Sequence, residues 1–207
     1  MTYPTGAILT IGHSTQVIGA FTDLLQRHRV AAVVDVRSVP YSRFNPQFNR
    51  EPLQKSLAAS DVAYHFLGRE LGARSDDPAC YEAGRVQYSR LARTKLFLDG
   101  IDHVVRIAAV ERVALMCAEK EPLECHRTLL VARALVERGS AVGHILGSGN
   151  VESHETAMER LLDVVGLPRE DLFRSRESLL EEALVLQESR IAYVRDAGGL
   201  KPATEWA

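Results

Sequence analysis

A short polar segment between two apolar stretches carries the densest set of reactive side chains in the chain. Residues 116–127 read Met-Cys-Ala-Glu-Lys-Glu-Pro-Leu-Glu-Cys-His-Arg, which combines two thiols, acids, a lysine, an imidazole and a guanidinium. Such a set can supply a nucleophile, proton transfer and anion binding. The apolar run 112–116 predicts a buried strand, and the run 128–136 predicts a helix. The segment therefore lies at the carboxyl end of a strand, where open α/β sheets bind their ligands.

Cys125 is the candidate nucleophile of this segment. We expect it in the first turn of the following helix, facing the surface with His126 and Arg127, where the helix dipole and these neighbours favour a thiolate. A buried, inert thiol is the alternative, and it suits Cys117 at the end of the apolar strand better. The spacing Cys-x₇-Cys-His matches no common structural zinc site and its last two ligands are adjacent, so no metal ligand is assigned, and zinc is kept as an alternative.

Two more predicted strands end in polar residues. Gly12-His13-Ser14-Thr15 follows the apolar run 7–11, and Asp35-Val36-Arg37-Ser38 closes the run 31–36. If these strands neighbour the strand 112–117, their ends form one cleft. The predicted catalytic residues are Cys125, His126, Glu119, Asp35 and His13. The predicted substrate-binding residues are Gly12, Ser14, Arg37, Ser38, Tyr41, Arg43, Lys120 and Arg127.

Each of these clusters also has a purely structural interpretation. The hydroxyls of Ser14 and Thr15 suit a helix cap. Asp35 and Arg37 face the same side of a strand and could form a buried ion pair. The loop 39–50 mixes aromatic rings with arginines, which suits stacking on a base and holding a phosphate, but equally suits anchoring the loop itself.

The remaining sequence alternates between strands and helices. Apolar runs predict strands at 7–11, 31–36, 62–66, 112–117 and 141–146, and helical spacing predicts helices at 18–28, 51–59, 96–109 and 128–136. This order predicts an α/β three-layer sandwich of the Rossmann or flavodoxin type, with a mostly parallel sheet of about five strands. Residues 68–86 predict a functional loop or lid. Two acidic helices at 155–165 and 177–194 form a C-terminal extension of one domain spanning 1–207, with its core at about 6–150.

Composition excludes several classes of protein. A net charge of -2 gives no general attraction to nucleic acid, so any such contact is local. No apolar run reaches the roughly 20 residues of a membrane helix. Three cysteines and no signal pattern predict a cytoplasmic protein with reduced thiols. The glycine-rich loops of dinucleotide and P-loop enzymes, the serine-hydrolase elbow and the Cys-x₅-Arg phosphatase loop are missing.

Several motifs together resemble one known family. Ile11-Gly12-His13-Ser14-Thr15, Val34 through Arg43, Leu67 through Gly72, and Cys117-Ala118-Glu119-Lys120 with Cys125-His126-Arg127 are similar to the domain-of-unknown-function family four-eight-eight. The similarity extends to Gln187 through Tyr193. It supports the site and leaves the reaction open, because the family's name carries no activity.

These observations predict an enzyme that handles a small anionic ligand, nucleotide-like or derived from nucleic acid. Cys125 would attack, with His126, Glu119 or His13 moving protons and Asp35 orienting a partner. The alternatives are a non-catalytic module that binds a nucleotide or a nucleic-acid end, and a Cys/His metal-binding protein. The cofactor is left open, and the acidic tail helix predicts a homodimer.

Overall fold

A six-stranded, mostly parallel sheet forms the centre of the molecule in the computed structural model, which describes residues 7–195. The strands of the described chain are β1 (Ile8–Gly12), β2 (Ala32–Asp35), β3 (Ala63–Phe66), β4 (Tyr81–Glu82), β5 (Arg85–Val86), β6 (Val113–Cys117), β7 (Val142–Ile145) and β8 (Val151–Ser153). The sheet has the order β3-β2-β6-β1-β7-β8, in which only β8 runs antiparallel to its neighbour. Strands β4 and β5 form a separate hairpin.

Helices cover both faces of the sheet. They are α1 (Ile18–Arg27), α2 (Arg50–Ala58), α3 (Gly68–Leu71), α4 (Tyr88–Leu91), α5 (Lys95–Ala108), α6 (Arg133–Glu137), α7 (His154–Val165) and α8 (Arg176–Ile191). A π-helical turn, Arg127–Ala132, leads into α6. Strand β6 shows why both faces must be covered, because Val113 and Leu115 pack with α5 to α8 while Ala114 and Met116 pack with α1 and α2.

The predicted fold class is confirmed, with three corrections. The sheet has six strands and not about five, because a short strand after the turn at 146–150 returns to pair with β7. The predicted loop 68–86 contains α3 and the β4–β5 hairpin. The helix predicted over 128–136 begins as a wider π-helical turn one residue earlier.

The strand order brings the predicted reactive segments together. Strand β6 lies between β1 and β2 and pairs in parallel with both, so Gly12 is level with Cys117 and Asp35 is level with Met116. The backbone hydrogen bonds continue past the strands, from His13 N–H to the Cys117 carbonyl and from Val36 N–H to the Met116 carbonyl. The carboxyl ends of three adjacent strands therefore meet at one edge, which is the arrangement the predicted cleft requires.

Within residues 7–195, no helix combines the length and apolar character needed to cross a membrane.

Two buried histidines link the sheet to α7. His144 lies on β7, and its Nδ1 is hydrogen-bonded to Thr10 Oγ1 at 2.9 Å. Its Nε2 lies 3.2 Å from Nδ1 of His154. Burial, followed by the charge of Arg133, lowers the pKa of His154 to about 4. Burial, followed by the charge of His154, places the pKa of His144 well below its usual value. The pair is therefore neutral in the folded chain at neutral pH.

This pair predicts acid sensitivity of the fold. The unfolded chain binds a proton at residue 154 near pH 6.5, whereas the folded chain does so only near pH 4. Stability is therefore lost as the pH falls between these values, by at most about 3 kcal/mol from His154. In His154→Asn, which keeps an amide near His144 but cannot titrate, urea denaturation should show a flatter dependence on pH in this window. Equal pH dependence in the variant and the wild type would contradict this account.

Candidate active site

A cleft of about 260 Å³ opens at the carboxyl ends of β2 and β6. The predicted site residues that line it are Arg37, Ser38, Glu119, Cys125 and His126, and Cys117, which was expected in the core, lines it as well. The other predicted site residues lie behind its wall or outside it. The structure thus brings together the two thiols, one acid, one imidazole and one guanidinium of the predicted set.

Cys125 lies just before the helix and not in its first turn. Its backbone is extended, and the single helical turn Pro122–Glu124 ends beside it. The Arg127 amide donates to its Sγ at 3.4 Å, and its carbonyl accepts from the amides of Thr128 and Leu129. Cys125 therefore takes the capping position, where a sulfur atom satisfies an amide that the π-helical turn leaves unpaired.

The expectation of a surface-facing Cys-His-Arg sequence is wrong. Cys125, His126 and Arg127 are 1%, 9% and 0% exposed. Local sequence suggested exposure because three polar or reactive residues follow one another. The extended backbone at Cys125 instead turns the thiol and the imidazole into the cleft and the guanidinium into the loop before them.

The two thiols and Glu119 lie close enough to shift one another's pKa values. The Cys125 thiol contacts Glu119 Oε2 at 2.9 Å. Burial alone raises the pKa of Cys125, but the hydrogen bond from Cys117 and the charges of Arg127 and His126 outweigh it and lower the pKa below its usual value. Burial and the neighbouring Cys125 raise the pKa of Cys117. The residue Glu119 is exposed, but the cluster shields its carboxyl group from water, and this shielding and the neighbouring Cys125 raise its pKa. Of the two sulfurs, Cys125 is thus the one that loses its proton more readily.

His126 presents one ring nitrogen to both sulfurs. Its Nε2 lies 3.0 Å from the Val36 carbonyl, which can only accept, so Nε2 carries a proton. Its Nδ1 lies 3.7 Å from Cys117 Sγ and 3.9 Å from Cys125 Sγ. Burial lowers the pKa of His126, but the contact with Cys125 and its charge outweigh this and raise it. The imidazole is fixed with Nδ1 directed at the thiols.

Arg37 is held by a buried carboxylate. Its Nε and Nη2 donate to the two oxygens of Asp35 at 2.9 and 2.6 Å, and Nη2 also donates to the Phe48 carbonyl at 2.8 Å. Tyr64 donates its hydroxyl to Asp35 as well. Asp35 is fully buried, and Arg37 reaches the cleft. Asp35 therefore forms the buried ion pair of the structural interpretation and orients Arg37, while its role in catalysis stays a prediction.

His13 completes this group as a neutral side chain. Its Nδ1 donates to the Ser14 carbonyl at 2.8 Å, so its Nε2 accepts from Arg37 Nη1 at 3.1 Å. Burial, together with the charge of Arg37, lowers the pKa of His13 to about 4. The ring also stacks on Phe48 with centroids 4.2 Å apart. His13 thus positions Arg37, and its free electron pair is already engaged.

Arg127 and Gly12 shape the loop that carries Glu119. Arg127 donates from Nη1 to the Glu119 carbonyl at 2.7 Å and from Nη2 to the Lys120 carbonyl at 3.2 Å. A Cβ at residue 12 would lie 1.8 Å from the Glu119 carbonyl oxygen, so only glycine fits there. With no exposed surface, Arg127 has no path to a ligand in the cleft, and Gly12 provides space for the loop.

Four other predicted contacts lie outside the cleft lining. Ser14 pairs its amide with the Ala118 carbonyl at 2.9 Å. Tyr41 is exposed and donates to Glu51. The guanidinium of Arg43 lies 5.9 Å from the Phe44 ring centroid. Lys120 is exposed beside Gly147.

Sequence reasoning missed two residues of the cleft mouth. Arg74 places its guanidinium 4.6 Å from the ring centroid of Tyr193, and its amide donates to Ser38 Oγ at 3.1 Å. Arg74 lies within the predicted functional loop 68–86, so the sequence indicated its region but not the residue itself. Tyr193 could not be found this way, because it reaches the cleft only through a long-range pairing of its carbonyl with the Val86 amide at 2.9 Å.

Fold and site together define a class of protein: an α/β sandwich with a thiol, imidazole and carboxylate cluster and a fixed arginine at the carboxyl edge of its parallel strands. A family model described as "Domain of unknown function DUF488" matches residues 17–134, more than half of the chain. The chain belongs to this family, which confirms the resemblance drawn from its motifs. Searches of curated proteins and of solved structures found no match.

The Asp35–Arg37 pair should be strongly coupled in stability. Arg37→Met leaves a buried carboxylate whose guanidinium partner is gone, and Asp35→Leu leaves a buried guanidinium, so each should lower the free energy of unfolding by about 3–5 kcal/mol. The double variant should lose less than the sum of the single losses by about 1–3 kcal/mol. Urea denaturation of the four proteins measures this coupling. Strictly additive losses would show that the two charges do not depend on each other.

Proposed function

We propose that this protein is an enzyme that acts on a small anionic substrate, nucleotide-like or derived from nucleic acid, with Cys125 as the nucleophile. The observation that carries the proposal is the contact of 2.9 Å between Cys125 Sγ and Glu119 Oε2 at the wall of a cleft that also contains Arg37. A thiol, an adjacent proton acceptor and a fixed cation are the parts that nucleophilic catalysis on an anion requires.

Arg37 and Arg74 support an anionic substrate. Within residues 7–195, the contacts of Arg37 use four of its five N–H groups, which leaves one on Nη1 for a ligand. Arg74 is exposed at the mouth and stacks on Tyr193. A phosphate or carboxylate between them would receive charge-assisted hydrogen bonds. Tyr193 offers a ring on which a base could stack.

The size of the cleft restricts what enters it. Its volume of about 260 Å³ is below the range of about 300–1,000 Å³ usual for drug-sized ligands. The cleft therefore accepts a small molecule or the reacting end of a larger one. The rest of a nucleotide-like substrate would extend over Arg74 and Tyr193 at the mouth.

The proposed reaction is a group transfer or hydrolysis in two steps. Sγ of Cys125 bonds to an electrophilic carbon or phosphorus atom, the bond to the leaving group breaks, and the thiol proton passes through Glu119 to the leaving group. Water or an acceptor then attacks the covalent intermediate, gives its proton to Glu119, and the thiol is released with that proton. His126, fixed by Val36, holds the thiols in place during both steps.

The proposal requires reduced thiols, which agrees with the expected cytoplasmic location and with three free cysteines in the structure. A local nucleic-acid contact through the loop 39–50 and a homodimer through the tail helices stay predictions. A non-catalytic binding module uses the same cleft without turnover, and the experiments below separate it from an enzyme.

Cys125 should react with electrophiles faster than Cys80. Both thiols are buried, but only Cys125 lines the cleft and contacts Glu119. After treatment with a chelator, the full chain is exposed to iodoacetamide at neutral pH, and the modified peptides are quantified by mass spectrometry. A rate at Cys125 no higher than at Cys80 would contradict a reactive nucleophile at this position.

Replacement of Cys125 should abolish turnover and spare ligand binding. In a panel of small phosphate and acyl esters of nucleosides, Cys125→Ser should lower the turnover of any active compound by roughly 10³-fold or more. Its affinity for that compound should stay within a few fold, because Arg37 and Arg74 are intact. Cys80→Ser is the matched control and should retain turnover. Full activity in Cys125→Ser would refute the nucleophile, and binding without turnover in the wild type would favour the binding module.

A further inference from the structure

The proposed reaction leaves one feature of the cleft unused, which is the second thiol. Cys117 is buried at the end of β6 and directs its Sγ toward the same imidazole nitrogen as Cys125. Sγ of Cys117, Sγ of Cys125, a ring nitrogen of His126 and a carboxylate oxygen of Glu119 all lie within 4.8 Å of one another. Four donor atoms that converge in this way have the composition of a transition-metal site.

We propose that Cys117, Cys125, His126 and Glu119 bind one Zn²⁺ ion. In a tetrahedral site with Zn–S near 2.3 Å and Zn–N near 2.0 Å, sulfur and nitrogen are about 3.6 Å apart. The distances from His126 Nδ1 to the two sulfurs are 3.7 and 3.9 Å. Both sulfur–nitrogen distances are therefore within a few tenths of an ångström of zinc coordination, and the two sulfurs lie within 4.8 Å of each other.

Hydrogen bonds around the cluster favour metal binding. His126 donates from Nε2 to the Val36 carbonyl, which leaves the lone pair of neutral Nδ1 directed at the centre of the cluster. Zinc-bound histidines are held by the same type of contact. The Arg127 amide donates to Cys125 Sγ, which stabilises a coordinated thiolate. Two thiolates and an imidazole form a soft donor set that selects zinc over magnesium or calcium.

Adjacent ligands in the sequence are no obstacle in this fold. Cys125 is extended, whereas His126, directly before the π-helical turn, is helical, so the change of backbone conformation between them points both side chains into the cleft. Glu119 differs from the other three ligands. Its oxygen lies 2.9 Å from Cys125 Sγ, closer than the roughly 3.5 Å of two zinc ligands, and its residue is exposed. Glu119 must move outward to coordinate, which makes it the ligand that water can replace.

Zinc and nucleophilic attack compete for one sulfur atom. A coordinated Cys125 thiolate cannot attack a substrate, so zinc should inhibit the enzyme reversibly; this consequence rests on the proposed function, whereas zinc binding does not. Cys117 then has a role that the reaction alone does not give it, because it supplies the second thiolate that makes the cluster bind zinc tightly.

The test uses the full chain, stripped with a chelator and dialysed under reducing conditions. Co²⁺ as a zinc probe should bind at one equivalent, with thiolate-to-cobalt charge transfer in the near ultraviolet and the intense visible bands of tetrahedral Co²⁺. Zn²⁺ should displace it. Absence of charge transfer at one equivalent, or six-coordinate visible bands, would overturn the site.

Variants of the cluster show whether the proposed ligands are responsible for metal binding. Cys117→Ser should weaken Zn²⁺ binding by more than about 100-fold, while the matched Cys80→Ser should leave it unchanged. Glu119→Ala, whose side chain is at the surface, should keep the thiolate charge transfer with weaker binding. Circular dichroism checks the fold of Cys117→Ser, and if it unfolds, Glu119→Ala and Cys80→Ser still decide the assignment. An equal loss in Cys80→Ser, or loss of charge transfer in Glu119→Ala, would refute it.

The predictions of zinc binding and of inhibition by zinc can be refuted independently of each other. One-equivalent zinc binding in a protein that never turns over any substrate would uphold the metal site and refute the nucleophile. Turnover that stoichiometric Zn²⁺ does not reduce would refute the competition for Cys125. Turnover in a chain that binds no Co²⁺ would refute the metal site and uphold the enzyme.

Discussion

The buried guanidinium of Arg127 fixes the shape of the loop on which the cleft depends. It holds the carbonyls of Glu119 and Lys120 from inside the molecule, and Gly12 lets that loop lie directly on the end of β1. Because β6 ends at Cys117 and Cys125 caps the next helix, this loop joins the two thiols, and its shape sets their separation. Buried arginine is costly unless it is hydrogen-bonded and compensated by charge. Here the backbone carbonyls accept its hydrogen bonds, and its charge lowers the pKa of the nearby Cys125 thiol.

A second buried arginine lines the cleft itself and serves a different purpose. Arg37 is fixed by Asp35, His13 and the Phe48 carbonyl, so its position is determined by β1, β2 and the chain after them. Such a cation loses little freedom when it binds an anion, because its side chain is already ordered. The cleft thus carries a fixed positive charge as well as the thiols, and the pairing of β2 with β6 sets the register between the strand that leads to Arg37 and the strand that ends at Cys117.

The sequence was most informative where patterns are local. Apolar runs located all the parallel strands within one or two residues, and the polar residues after β1, β2 and β6 indicated a common edge that the strand order confirms. Direction of side chains was harder to predict. Arg127 was predicted to bind an anion, because nothing in the adjacent sequence shows that its guanidinium donates to two backbone carbonyls inside the fold. Tyr193 and β8 were missed because each is defined by pairing with a distant segment.

The π-helical turn Arg127–Ala132 has a consequence for how tolerant this region is to changes in length. Its wider winding accommodates an additional residue compared with an α-helix of the same rise. Deleting one residue there would restore ordinary winding and leave the chain on either side facing nearly the same way. Outside this turn, where each residue turns an α-helix by about 100°, a deletion would rotate the apolar side of α6 off the sheet or turn Cys125 and His126 away from the sulfur and carbonyl they face. The turn is therefore a place where the chain can lose one residue while the site and the core both keep their orientation.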